Sequence, residues 1–135
     1  MNQQPKEMGF TVIEVIIFFV VMVVLAVFFI LQKSDLQLSY DDQTRKTAIN
    51  SMFYSLTEIY HPEHGYYPSN VNPDTFKAVA PELLSDTWDV AIGDSESEYR
   101  YEGLDCNGEG KCQKFKLTAS LDKEAEYTKT SDDKN

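Results

Sequence analysis

Glycine and proline are missing from a long stretch of this chain: neither occurs between Phe10 and His61. Nothing in those roughly 51 residues breaks a helix, which at 1.5 Å per residue would run for about 77 Å. Cations are also scarce, with 12 Lys and Arg against 22 Asp and Glu and a net charge of −10. Such a surface repels phosphate backbones, which argues against direct nucleic-acid binding, and holds the polar part of the chain away from anionic lipid headgroups. The charge also keeps that part soluble. Cysteine is limited to Cys106 and Cys112, too few and wrongly spaced for a zinc knuckle. There is no glycine-rich phosphate loop and no Ser/His/Asp set, and the acidic residues are too scattered to single out a catalytic pair. An enzyme is not expected.

What the chain does have is an apolar run at residues 10–31, FTVIEVIIFFVVMVVLAVFFIL, whose only charge is Glu14. As a helix these 22 residues span roughly 33 Å, enough to cross a hydrocarbon layer of about 30 Å. With Lys6, Glu7 and Glu14 set aside, the remainder carries 11 cations against 20 acids, a net −9. The sequence therefore joins a membrane anchor to a small acidic head. A secretory signal has a shorter apolar core, about 7–15 residues, and a small-residue cleavage site after it. Here LQKSDLQ follows, without an A-x-A stretch and without the adjacent Cys of a lipoprotein signal. A plain anchor would account for neither the polar MNQQPKEMG before the run nor the acid within it. A carboxylate well inside a bilayer costs several kcal/mol, less near one end, so Glu14 calls for a positive partner. Cleavage after Gly9 would create one, the α-amino group of Phe10, which need not belong to the same chain.

The segment Lys6-Glu7-Met8-Gly9-Phe10-Thr11-Val12-Ile13-Glu14 resembles the type IV prepilin cleavage motif, a leader ending in Gly, a mature chain starting with Phe and a Glu at the fifth mature position. The resemblance implies cleavage between Gly9 and Phe10 by a membrane-embedded prepilin peptidase, which also methylates the Phe10 amine. It implies that Glu14 pairs with the Phe10 amine of a neighbouring subunit as like subunits assemble into a filament. An assembly platform and an ATPase motor are the further partners it implies, with the lipid bilayer holding the subunit beforehand. One feature departs from the pattern. Many pilus pilins carry a Pro at the twenty-second mature position, where this chain has Leu31; pseudopilins and some competence pilins also lack it. The departure favours a short pseudopilus-type filament over a long retractile pilus.

Beyond the anchor, Ile49, Met52, Phe53, Leu56 and Tyr60 recur at helical spacing and predict a core-facing stripe, with Asp41, Asp42, Arg45 and Asn50 on other faces. Pro62 predicts a helix end at Tyr60 or His61. His61 and His64 are two possible ligands in what reads as a turn, without a third; solvated imidazoles are the expectation. Gly65-Tyr66-Tyr67-Pro68 is similar to the G-x-Y-P turn that follows the long helix in many pilins and pseudopilins. Asn72-Pro73-Asp74 reads as a helix start, with a short helix through Thr75–Val79 that is interrupted at Pro81 and resumes toward Leu84. The stretch VAPELLSDTWD resembles the pseudopilin link to the sheet, after which some major pseudopilins bind calcium. Asp86, Asp89, Asp94, Glu96 and Glu98 are oxygen ligands in that region but fit no fixed calcium loop, so a solvated acidic loop and no cofactor are expected.

From Tyr99 the period changes to two: Tyr99 and Tyr101, then Phe115, Leu117, Ala119 and Leu121, alternate with polar residues. Asn107-Gly108 is a turn signal between them, and a third strand is expected near Glu126–Thr130, giving an antiparallel meander. Cys106 and Cys112 flank the turn; a disulfide there would persist only in an oxidising compartment, the other possibilities being two free thiols or half a metal site. The fold class expected is α+β, a long N-terminal helix packed on a small antiparallel sheet. Its parts are a leader (1–9), a transmembrane and assembly half-helix (10–31), an amphipathic half-helix (32–61), a head (62–130) and a mobile tail (131–135). The expected location is the cytoplasmic membrane, single-pass, with a cytoplasmic N-terminus and an extracytoplasmic head, then a surface or periplasm-spanning filament. The competing reading is a single-pass anchored protein whose acidic head binds a ligand.

Overall fold

The computed structural model describes residues 11–134. Its fold is α+β, and the contacts divide the chain after Gln37. Helix α1 spans Val12–Tyr54, continues as a π-helical turn over Ser55–Tyr60, and ends in a last turn, α2, at His61–His64. In the first unit every residue from 11 to 33 is exposed, and its apolar stretch is long enough to cross a membrane by length and composition.

The second unit has a core of its own. Ala48, Ile49, Met52 and Phe53 of α1 and Leu56 of the π turn form one buried stripe, with Tyr60 packed against it, as the spacing predicted. The helix nevertheless passes the proline expected to end it. In an α-helix the ring of Pro62 would collide with the carbonyl of Glu58, four residues back. The π turn widens the backbone just before it, the His61 N–H reaching the Leu56 carbonyl five residues back, and the helix continues to His64. Gly65 then closes it in the left-handed conformation, φ 78°, its N–H donating to the His61 carbonyl at 2.7 Å.

The sheet has four strands: β1 (Tyr67–Pro68), β2 (Tyr99–Cys106), β3 (Lys111–Ala119) and β4 (Tyr127–Thr130). β3 is central and antiparallel to all of its neighbours, with β2 along one edge and β1 and β4 sharing the other. The β2-β3-β4 meander follows the period-2 pattern, and its inward residues Tyr99, Phe115, Leu117 and Ala119 join the core. Phe115, fully buried, meets the rings of Phe53 at 6.0 Å and Tyr67 at 4.7 Å. These contacts tie α1 to the sheet.

Two local expectations are not met. No helix forms at Thr75–Val79: the Asn72 cap and Pro73 start only a 3-10 turn, Pro73–Thr75, after which Phe76 is extended and buried and Ala78 takes a φ of 61°. Pro81–Leu83 is likewise a single 3-10 turn. Burial of Phe76 outweighs the weak preference of so short a segment for helix. Asp42 and Arg45, placed by periodicity off the apolar stripe, are nevertheless buried, 3% and 4% exposed.

Candidate functional site

Gly9 and Phe10, the residues of the expected cleavage and methylation, lie outside the described residues. What is described begins at Thr11, just ahead of α1. Its backbone N–H donates to the Glu14 carboxylate at 2.9 Å, and its hydroxyl to the same oxygen at 3.1 Å. The Glu14 N–H in turn reaches the Thr11 carbonyl at 3.0 Å. A Glu three residues into a helix reaching back to the N–H of a Thr at the cap is half of a capping box. It satisfies a donor that the helix start otherwise leaves unpaired, and places negative charge at the positive end of the helix dipole. The T-x-x-E spacing of Thr11 and Glu14 is the sequence signal for this cap. Glu14 therefore has donors within its own chain, and it is exposed, open to a further partner.

The second assembly of polar residues lies in the head and was not anticipated. The Arg45 guanidinium donates to Asp122 Oδ2 at 2.8 Å and to Thr87 Oγ1 at 2.8 Å, and pairs with Glu98 at 2.8 Å and Asp42 at 3.3 Å. Asp42 also accepts the backbone N–H groups of Asp122 at 2.8 Å and Lys123 at 3.0 Å. Burial alone would raise the Asp42 pKa, but those two N–H donors and the neighbouring cations Arg45 and Lys46 hold it below the usual carboxylate range. Burial likewise works to lower the Arg45 pKa, and is outweighed by Asp122, Glu98 and Asp42, which raise it. One arginine thus ties the helix to the loops before β2 and after β3. No sequence spacing signals a cluster whose members are up to 81 residues apart.

The acidic loop has a structural job. Asp86, buried, accepts from the backbone N–H groups of Trp88 and Val90 through Oδ1 and of Glu98 through Oδ2, at 2.9–3.0 Å. Asp94 accepts from Glu96 N–H, Glu98 pairs with Arg45, and Asp89 is exposed. Among the described residues no group of three or more His, Cys, Asp or Glu is arranged to hold a metal ion. His61 and His64 sit in the last helical turn, not in a loop. His61 packs on Tyr67 at 4.7 Å, and His64 stacks on Tyr60 at 4.1 Å with Nδ1 against the Tyr60 carbonyl.

Cys106 and Cys112 form a disulfide between directly paired positions of β2 and β3. Pairing runs from Tyr99–Ala119 to Leu104–Lys114 and resumes at the two cysteines. Asp105, in the gap, has a φ of 53°, and Cys112 beyond it is fully buried while Cys106 is exposed. Gly103 is required beside them, since a Cβ there would lie 2.7 Å from Cys112 Sγ and 3.0 Å from the Pro68 carbonyl. The Tyr101 hydroxyl donates to that carbonyl at 2.6 Å. Burial raises the Tyr101 pKa and pushes that of Tyr99 up to about 12. Scans against protein-family models, curated proteins and solved structures gave no match.

Proposed function

We propose that this chain is a filament subunit of the type IV pilin or pseudopilin kind, a structural protein and not an enzyme. In this reading it is stored in the cytoplasmic membrane, cut between Gly9 and Phe10 and methylated on Phe10 by a prepilin peptidase, then assembled by helix packing. The observation that carries the reading is the exposed apolar stretch of α1, with one acid near its start and a leader ending in Gly9 before it, joined to an α+β head. In the bilayer that surface faces lipid; in a filament it faces its counterparts. Covering about 1,000 Å² of it would be worth tens of kcal/mol in water, yet far less relative to lipid, which is equally apolar. Leaving the membrane therefore requires a motor and assembly platform. The head stands outside the cytoplasm in this reading, where the Cys106–Cys112 disulfide persists.

Glu14 is assigned to assembly, its carboxylate accepting from the Phe10 amine of a neighbour in place of, or alongside, its Thr11 donors. The test is Glu14→Ala in cells that express the processing and assembly machinery. Cleavage and membrane insertion should be unchanged while sheared or pelleted filament falls; normal filament yield would remove the acid from assembly. The second reading, a single-pass anchored binding protein, draws on the Thr11–Glu14 hydrogen bonds, which give the acid a capping role that needs no neighbour.

A further inference from the structure

Asn107 and Gly108 form the only Asn-Gly pair in the sequence, in the turn between β2 and β3. Backbone and side chain together close that turn. The Asn107 N–H donates to the Lys111 carbonyl at 2.9 Å, and the Gly110 N–H to the Asn107 carbonyl at 3.1 Å. The carboxamide oxygen of Asn107, Oδ1, accepts two further backbone N–H groups, from Glu109 and from Lys111, both at 3.0 Å. The Cys106–Cys112 disulfide joins the two ends of the loop. Asn107 and Gly108 are nevertheless exposed to water.

Two N–H donors converging on one carbonyl oxygen draw charge from its carbon and stabilise negative charge that develops on the oxygen, as an oxyanion hole does. The carbon concerned, Asn107 Cγ, has a nucleophile built into the chain: the backbone nitrogen of Gly108, whose attack closes a succinimide ring. That nitrogen is unhindered, because Gly108 has no side chain and even a Cβ there would have no neighbour within 4 Å. Its N–H makes no hydrogen bond among the described residues, so no bond must break before the proton is lost. The other exposed asparagines of the head are less suited. Asn70 precedes Val71, which is branched and buried, and Asn72 precedes Pro73, whose nitrogen has no proton to lose.

We propose that Asn107 is a site of spontaneous covalent modification, promoted by its own turn. The Gly108 nitrogen loses its proton and bonds to Asn107 Cγ while the Glu109 and Lys111 N–H groups hold the oxygen that takes up the charge. The Cγ–Nδ2 bond then breaks, and the amide nitrogen leaves as ammonia, gaining one proton to match the one Gly108 lost. Water opens the cyclic imide at either carbonyl and leaves an aspartyl or isoaspartyl residue at position 107. Water is the only co-reactant, and nothing is oxidised or reduced. The aspartyl product keeps an oxygen for both N–H donors, now charged and so a stronger acceptor. The hairpin then persists with an added negative charge in the turn that holds the Lys111–Glu109 ion pair. This chemistry is independent of the filament reading.

The test ages the purified full-length chain in detergent at neutral pH and follows its peptides by mass spectrometry. Position 107 should gain one mass unit at least roughly tenfold faster than Asn70, with isoaspartyl peptide among the products. Gly108→Ala meets open space and no left-handed φ, so it should leave the melting temperature unaltered and slow the change at least roughly tenfold. The reduced, denatured chain keeps the Asn-Gly pair but loses the two converging N–H groups, and there the change should be slower than in the folded chain. That comparison uses the unaltered sequence, so it holds whether or not the variant folds. A folded chain that stays intact at position 107, or reacts no faster than the denatured one, would overturn the proposal. So would an unchanged rate in Gly108→Ala, or aspartyl peptide alone, the mark of direct hydrolysis.

Discussion

Between Val12 and Leu31, helix α1 turns every apolar side chain outward and keeps one acid at its start; between Asp42 and Leu56 the same helix buries its apolar stripe together with an arginine and an aspartate. Under the proposed membrane reading the first region meets a solvent with no hydrogen-bonding capacity, where a helix satisfies its own backbone and its surface can be apolar all round. The second region has the burial pattern of a domain folded in water. There apolar area must be hidden, and a charge can be hidden with it only if its hydrogen bonds are met. Asp42 and Arg45 meet that condition through Glu98, Asp122 and two backbone N–H groups, although the Nε of Arg45 lacks a hydrogen-bond partner. One helix thus shows opposite burial patterns along its length, as the proposed passage from membrane to water requires.

The contrast can be broken by the same substitution in each region. Phe115→Ala empties the centre of the head core and should cost about 3–5 kcal/mol of head stability. Phe19→Ala, on the exposed anchor, should change it by less than about 0.5 kcal/mol. Thermal unfolding of the full chain in detergent, followed by near-ultraviolet circular dichroism, separates these outcomes. Comparable losses would mean that the anchor supports the head.

Arg45→Met tests the buried charge. It removes the cation while leaving Asp42, Glu98 and Asp122, and should cost about 3 kcal/mol near neutral pH. The pH dependence sharpens the point. Asp42 is held below its ordinary pKa in the folded head, so its contribution is present above pH ~4 and is lost as pH falls through the folded value. Without Arg45 that depression shrinks, and the acid limb of the stability profile should flatten; an unchanged limb would show that Arg45 does not hold the carboxylate ionised. Cys106→Ser should have a smaller effect, a loss of about 2 kcal/mol by loop entropy with processing unchanged. An unaltered melting temperature would mean that strand pairing alone fixes the β2–β3 turn.

What was legible in the sequence followed local periodicity. The 3.6-residue stripe from Ile49 to Leu56, the two long strands and the paired cysteines all showed in spacings of a few residues. What was not legible depends on distant partners or on local backbone adjustments. Periodicity places Arg45 off the core stripe and says nothing of Glu98 and Asp122, which fold onto it and bury it. Pro62 reads as a helix end unless the carbonyls behind it are displaced by a π turn, which no residue type announces. Strand β1, two residues long, is too short for any period. The Thr11–Glu14 cap is a different case: its T-x-x-E signal is local, but the same Glu14 is also the lone acid of an apolar run, so the sequence supports two roles for it.

The mature N-terminus tests the central proposal most directly. Intact-mass and peptide mass spectrometry of the chain, recovered from cells with an active prepilin peptidase, should find a protein beginning at Phe10 with a methylated α-amine. A chain that retains Met1, or one starting at Phe10 without methylation, would contradict it.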